Sequence, residues 1–171
     1  MKDVFLVYDT SCFYEIVILN YFMSFTKCEV ILCSLDGEEI RTAEGYSVSV
    51  DTSLDEINLD EVRSFIVPGG DVSIINNKEV KDILQELKKK NVLIAGICAG
   101  VDLLDEAGLL KDIKSTHSTD YDVVNDSKII TSRANAYVDF AIEVAKELEL
   151  FEDEIDLKET IDFWKYHKRM Q

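Results

Sequence analysis

Proline occurs once and glycine seven times, so each of these positions is a local structural signal. No stretch is rich in proline, glycine and serine, and no segment repeats. Residues 1–171 are therefore expected to form a single domain. Histidine is scarce, with two copies, and the four cysteines at positions 12, 28, 33 and 98 form no CxxC pair. That excludes a zinc knuckle and a dithiol redox motif, and neither a metal nor a cofactor is expected. No apolar run reaches the roughly 18 residues that would span a membrane. The most apolar window, Ile16 to Phe25, is interrupted by Asn20 and Ser24. With no secretory signal pattern at the amino terminus, a soluble, cytoplasmic protein with free thiols is expected. Basic residues are few as well: 18 against 34 acidic ones, a net charge of −16. Such a field repels phosphate backbones and anionic membranes, so neither nucleic acid nor a lipid surface is an expected partner.

What is present is an ordinary apolar content of 47 %, enough to build a core. Short β-branched runs alternate with amphipathic segments. Strands are expected at Val4–Tyr8, Glu29–Ser34, Ser64–Val67, Asn91–Ala95 and Lys128–Ser132, with a small hairpin or extension around Glu44-Gly45. Helices are expected at Tyr14–Phe25, Lys78–Lys90, Ala99–Glu106 and Ala136–Leu148, and a last one near Leu157–Lys168. This alternation predicts an α/β fold with a largely parallel sheet covered on both faces, and ligands beyond the carboxyl ends of its strands.

The segment NVLIAGICAGVDLLDEAG carries the most chemistry. A buried strand runs into Gly96-Ile97-Cys98-Ala99-Gly100 and a helix follows at once, the pattern of a nucleophile elbow with cysteine in place of serine. Gly96 and Gly100 permit the sharp turn, and Cys98 projects from the sheet edge. The helix amino terminus is expected to lower the thiol pKa, and the Ala99 N–H is free to donate to an oxyanion. Cys28 and Cys33, in an apolar strand, read as core residues.

Other strand ends supply partners. Val67-Pro68-Gly69-Gly70 closes a strand with flexible residues, and its Gly70 N–H is assigned as the second oxyanion donor, although PGG also fits an ordinary turn. Glu15 lies among Phe13, Tyr14, Ile16, Val17 and Ile18, an unusual setting for a charge. Burial there would raise its pKa and let it donate to the thiolate or shuttle protons. A first-turn glutamate favoured by the helix dipole fits the same position. His117 is a candidate general base or substrate-positioning group, and a plain surface histidine fits it equally.

Taken together, FYEIVI with Glu15, IVPGG, AGICAG, the histidine of STHS and ITSR before a helix resemble the ThiJ/PfpI family of the class I glutamine amidotransferase-like superfamily. The resemblance runs from about residue 2 to residue 149. It implies a flavodoxin-like three-layer sandwich and a homodimer. It also implies a reactive cysteine at Cys98, a hydrogen-bonding carboxyl at Glu15, oxyanion donors at Gly70 and Ala99, and a histidine near the cysteine at His117. Ala99 stands where PfpI-type peptidases carry histidine, which argues against protease activity. Thr10-Ser11-Cys12-Phe13-Tyr14 and Arg133-Ala134-Asn135-Ala136 replace smaller residues of relatives around the site, and Cys12 is placed to face it.

Two functions follow as expectations. One is a cofactor-free, cysteine-dependent enzyme acting on a small electrophile, glyoxalase-, deglycase- or hydratase-like. The other is a non-catalytic sensor whose Cys98 is oxidised under stress. A ligand-binding regulator domain and an amidotransferase-type hydrolase rank lower, since neither a DNA-binding region nor a completing His-Glu pair is present.

Overall fold

The computed structural model describes residues 1–169. At its centre β1 (Lys2–Leu6) is flanked by β2 (Glu29–Ser34) and β6 (Val62–Val67), both parallel to it. The sheet has seven strands in the order β5-β2-β1-β6-β7-β9-β8, where β5 is Thr52–Ser53, β7 Leu93–Ile97, β8 Val123–Asp126 and β9 Ile129–Ser132. Every pairing is parallel except β8 with β9. A separate antiparallel pair, β3 (Ile40–Arg41) and β4 (Ser47–Val48), forms the hairpin around Glu44-Gly45.

Alternation along the strands builds two cores. Val4 and Leu6 point to one face of the sheet, where α2 (Lys78–Lys89) and α3 (Ala99–Glu106) add Val80, Leu84, Leu87, Val101, Leu103 and Leu104. Phe5 points to the other, against Leu19 and Met23 of α1 (Val17–Met23) and Phe140, Ala141 and Val144 of α4 (Tyr137–Glu147). Each fully buried side chain of this size contributes about 1.5–3 kcal/mol through apolar burial. This is the α/β flavodoxin-like arrangement that the alternating pattern and the resemblance implied. A final helix, α5 (Glu154–Trp164), is clasped to α1 through Trp164, whose ring meets Tyr21 and Phe22 edge-on at 5.8 Å.

Several details differ from expectation: β1 spans Lys2–Leu6 rather than Val4–Tyr8, β7 spans Leu93–Ile97 rather than Asn91–Ala95, and the short edge strand β5 was not anticipated. The first helix does not begin at Tyr14: a 3-10 turn spans Phe13–Glu15, and the α-helix starts only after Ile16. The last helix ends at Trp164 rather than Lys168. Strand β8 was not anticipated, because its hairpin turn uses Ser127 and Lys128 at φ 56° and 61°, a geometry normally announced by Asn-Gly. No helix among the described residues is long and apolar enough to cross a membrane.

Candidate active site

Between the end of β7 and the start of α3 stands one residue, Cys98, with φ 57° and ψ −130°. That backbone conformation is one that non-glycine residues avoid. It is held from several sides. The Cys98 N–H donates to Ser132 O at 2.9 Å, and the Val101 N–H donates to Cys98 O at 3.0 Å. At Gly100 a Cβ would lie 2.3 Å from Val67 O, so the absence of a side chain lets the first turn of α3 press against the end of β6. The Ala99 amide donates toward the sulfur.

The acid comes from the turn after β1. A 3-10 turn rotates Glu15 inward, and the residue is 1 % exposed. Its Oε2 accepts the Gly69 N–H at 2.7 Å and its Oε1 accepts the Tyr14 hydroxyl at 3.3 Å. Carboxyl and thiol lie within hydrogen-bonding reach of each other. Gly69 closes the space between them: a Cβ there would sit 2.8 Å from Glu15 Oε2 and 2.9 Å from Cys98 Sγ. Tyr8 ties the strand end down by donating its hydroxyl to Pro68 O at 2.9 Å, and the Cys12 N–H donates to Gly69 O at 2.9 Å. The thiol, the acid and the glycine turn are thus one hydrogen-bonded cluster at the carboxyl edge of the sheet.

The sequence profile of the DJ-1/PfpI family matches residues 1–147. The chain belongs to the DJ-1/PfpI family. Among curated relatives, Deglycase PfpI of Pyrococcus furiosus is 34 % identical over 90 residues, 52 % of this chain and 54 % of the relative. Deglycase TK1284 of Thermococcus kodakarensis is 34 % identical over 91 residues, again 52 % and 54 %. The chain spans about half the length of these curated relatives. Uncharacterized protease YoaZ of Bacillus subtilis is 30 % identical over 149 residues, 72 % of this chain and 68 % of the relative. Among solved structures, DJ-1 superfamily protein Atu0886 of Agrobacterium tumefaciens superposes with a TM-score of 0.85 at 23 % identity, covering 98 % of this chain and 100 % of that one. Drosophila melanogaster DJ-1beta gives 0.78 at 22 % identity, with 94 % and 95 % covered. These structural likenesses speak to the fold.

Within this DJ-1/PfpI chain the geometry gathers Cys98, Glu15 and Ala99, with Gly96 and Gly100 shaping the turn. It divides the two glycines of PGG. Gly69, which the sequence did not single out, commits its N–H to Glu15. Gly70, at φ 140°, donates to no protein acceptor among the described residues. His117 is not brought to the sulfur. Its Nε2 lies 3.1 Å from Asp102 Oδ1 and its Nδ1 3.2 Å from Asp105 Oδ2, because the i,i+3 spacing along α3 puts both carboxylates on one face. Asp102, one of its two partners, lies close enough for its charge to act on the thiol.

The expected depression of the thiol pKa is also corrected. Burial, and next to it the Glu15 carboxylate, push the Cys98 thiol up, with the Ala99 amide pulling the other way. The helix end is only one contributor, and tertiary burial outweighs it. Glu15 is raised in turn by burial, against the donors from Gly69, Cys98 and Tyr14. Cys12 does join the cluster. Burial and the charges of Glu15, Cys98 and Glu44 push its thiol up to about 11. Cys33, in the core, is pushed up to about 12 by burial.

Proposed function

We propose that this DJ-1/PfpI protein is a cofactor-free, cysteine-dependent enzyme acting on small α-oxoaldehydes or their adducts, glyoxalase- or deglycase-like, with Cys98 as nucleophile. The observation that supports this best is the contact between the Cys98 sulfur and a buried carboxyl that no lysine or arginine neutralises among the described residues. Such a pair can lose one proton and pass the other between its members. The deglycase names of the archaeal relatives point to the same substrate class.

The chemistry balances without a redox partner. Sulfur attacks the aldehyde carbon, the C–S bond forms, and the carbonyl electrons move to oxygen. The Ala99 and Gly70 amides would donate to that oxygen, and removing one such donor typically costs about 3 kcal/mol of transition-state stabilisation. Glu15 takes the thiol proton and delivers it to the new alkoxide oxygen; again a carboxylate, it moves the proton of the former aldehyde carbon to the neighbouring carbonyl carbon while the hydroxyl proton passes to that carbonyl's oxygen, leaving a thioester of a 2-hydroxy acid. Water hydrolyses the thioester and the thiol returns, so one aldehyde and one water give one 2-hydroxy acid. Because the thiol pKa is raised, turnover is expected to climb with pH above neutrality. The test is methylglyoxal consumption by wild type, Cys98→Ser and Glu15→Gln. Both variants should lose at least about a hundredfold, the usual scale for a removed acid–base group. Turnover that survives Cys98→Ser overturns the reading.

We propose oxidation of Cys98 as a second reading, favoured by its partial exposure beside an amide donor, whereas Cys33 is fully buried. Mild peroxide should add two oxygens to Cys98 well before Cys12, Cys28 or Cys33, as read by mass spectrometry. Equal oxidation of all four removes this reading.

A further inference from the structure

Cys12 enters no step above, yet the fold sets it next to the elbow sulfur. One residue, Gly69, stands between the two cysteines. Its carbonyl oxygen accepts the Cys12 N–H at 2.9 Å, and a Cβ on it would lie 2.7 Å from Cys98 Cβ and 2.9 Å from Cys98 Sγ. Carrying no side chain, Gly69 puts no wall between them. Both cysteines are partly exposed. After burial, Glu15 is the first charge acting on each thiol, and the Cys98 charge also reaches Cys12. The other two cysteines are kept away. Cys33 lies on β2 in register with Leu6 and is fully buried. Cys28 precedes β2, whose first residue pairs with Lys2, so it sits at the amino edge of the sheet. The elbow is at the carboxyl edge, the length of a five-residue strand away, about 16 Å.

We propose that Cys12 is the resolving thiol of Cys98: once a hydroperoxide has put one oxygen on the Cys98 sulfur, Cys12 displaces it and closes an intramolecular disulfide. The inference rests on the second reading above, oxidation at Cys98. In the first step the Cys98 thiolate takes an oxygen from the hydroperoxide. An S–O bond forms, the O–O bond breaks, and water or an alcohol leaves, so sulfur is oxidised by two electrons and the peroxide reduced by two. In the second step the Cys12 sulfur attacks the Cys98 sulfur. The S–S bond forms, the S–O bond breaks, and hydroxide leaves as water with the Cys12 proton. Glu15, beside both thiols, is placed to pass that proton. The surroundings set the order. The Ala99 amide favours the thiolate at Cys98, whereas burial and the charges of Glu15, Cys98 and Glu44 hold the Cys12 thiol protonated, at about 11. A disulfide brings its two Cβ atoms to about 3.8 Å, and the loop between β1 and the 3-10 turn, not a strand or helix, makes that approach. The first oxygen is thereby removed reversibly before the irreversible second one is added. The two-oxygen product expected above then belongs to peroxide in excess, where a second oxidant outruns Cys12.

The test treats the reduced full chain with one equivalent of hydrogen peroxide, caps the remaining thiols by iodoacetamide alkylation and maps tryptic peptides without reductant. Cys12 lies in peptide 3–27, Cys98 in 91–111, and Cys28 and Cys33 together in 28–41, so each linkage has its own mass. The expected product joins 3–27 to 91–111 in protein that runs as a monomer on a non-reducing gel, and dithiothreitol should release it. Wild type and Cys28→Ser should lose two thiols per peroxide consumed, as the balanced steps require. Cys12→Ser should lose the cross-link entirely, and its Cys98 should gain two oxygens at peroxide doses that leave the wild-type link intact. One or two oxygens on wild-type Cys98 with Cys12 still alkylated overturns the proposal and leaves the second reading standing. An unmodified Cys98 overturns both. A link from Cys98 to Cys28, to Cys33 or to another chain also removes Cys12 from this role.

Discussion

Two carboxylates are buried among the described residues, and they differ in what surrounds them. Asp3, near the start of β1, is fully buried and meets a guanidinium: Arg63 Nε lies 3.0 Å from its Oδ1, with Arg63 Nη2 on Oδ2, and Ser64 Oγ donates to Oδ1 at 2.7 Å. Glu15, beyond the other end of the same strand, is equally hidden but has only an amide, a phenol and a thiol. A buried carboxylate with a cation and a full set of donors has its charge compensated where it lies. A buried acid without a cation has its pKa raised by burial, toward the range in which it can exchange a proton. One end of the strand is built to hold a charge and the other to exchange one.

Breaking the first arrangement should have the largest effect on stability. Arg63→Met leaves the Asp3 charge buried without its counter-ion, and the expected loss is about 3 kcal/mol, toward the low end for a broken buried pair because the arginine is 22 % exposed. Urea unfolding measures it, and a loss below about 1 kcal/mol would mean that water replaces the guanidinium. Cys98 alkylation should be unchanged, since the two ends share no hydrogen bond. Asp3→Asn is the milder cut. An amide oxygen still accepts from Ser64 and Arg63, and Arg63 can reach solvent, so about 1–2 kcal/mol should be lost. Were Asp3→Asn as damaging as Arg63→Met, the pair would be cohesive in its own right rather than a way of neutralising one buried charge.

The two ends also differ in how far the chain announced them. The elbow was legible because its grammar is local: Gly96, Cys98 and Gly100 stand within five residues, between a buried strand and a helix. Glu15 was legible as a charge amid apolar neighbours. The Asp3–Arg63 pair was not, because its partners lie 60 residues apart and only the parallel register of β1 with β6 brings them together. The same holds inside the site. That Gly69 rather than Gly70 holds the carboxyl, that the Tyr14 hydroxyl turns to Glu15, and that His117 turns to Asp102 and Asp105 all depend on three-dimensional closure. The direction of the Cys98 shift was misjudged for this reason. A helix end is visible in sequence, whereas burial and a carboxylate from 83 residues earlier are not.

The smallest effect at neutral pH, and the sharpest for the comparison, is expected from Glu15→Gln. Glutamine is nearly isosteric and its Oε1 can keep the Gly69 N–H, so the fold should survive with a change within about 1 kcal/mol. The informative quantity is the pH dependence of that difference. Burial raises the folded-state pKa of Glu15 above its ordinary 4.5, so the folded protein binds this proton more tightly than the unfolded chain. The stability linked to it is fully present below pH 4.5 and is lost as pH rises through the folded pKa. Wild type should therefore lose ground to Glu15→Gln with rising pH, as read by urea unfolding of both proteins from pH 4 to pH 8. A difference that stays constant over that range would mean that Glu15 titrates as an ordinary exposed acid. It would then hold no proton to offer Cys98 at neutral pH, and the contrast with Asp3 would vanish.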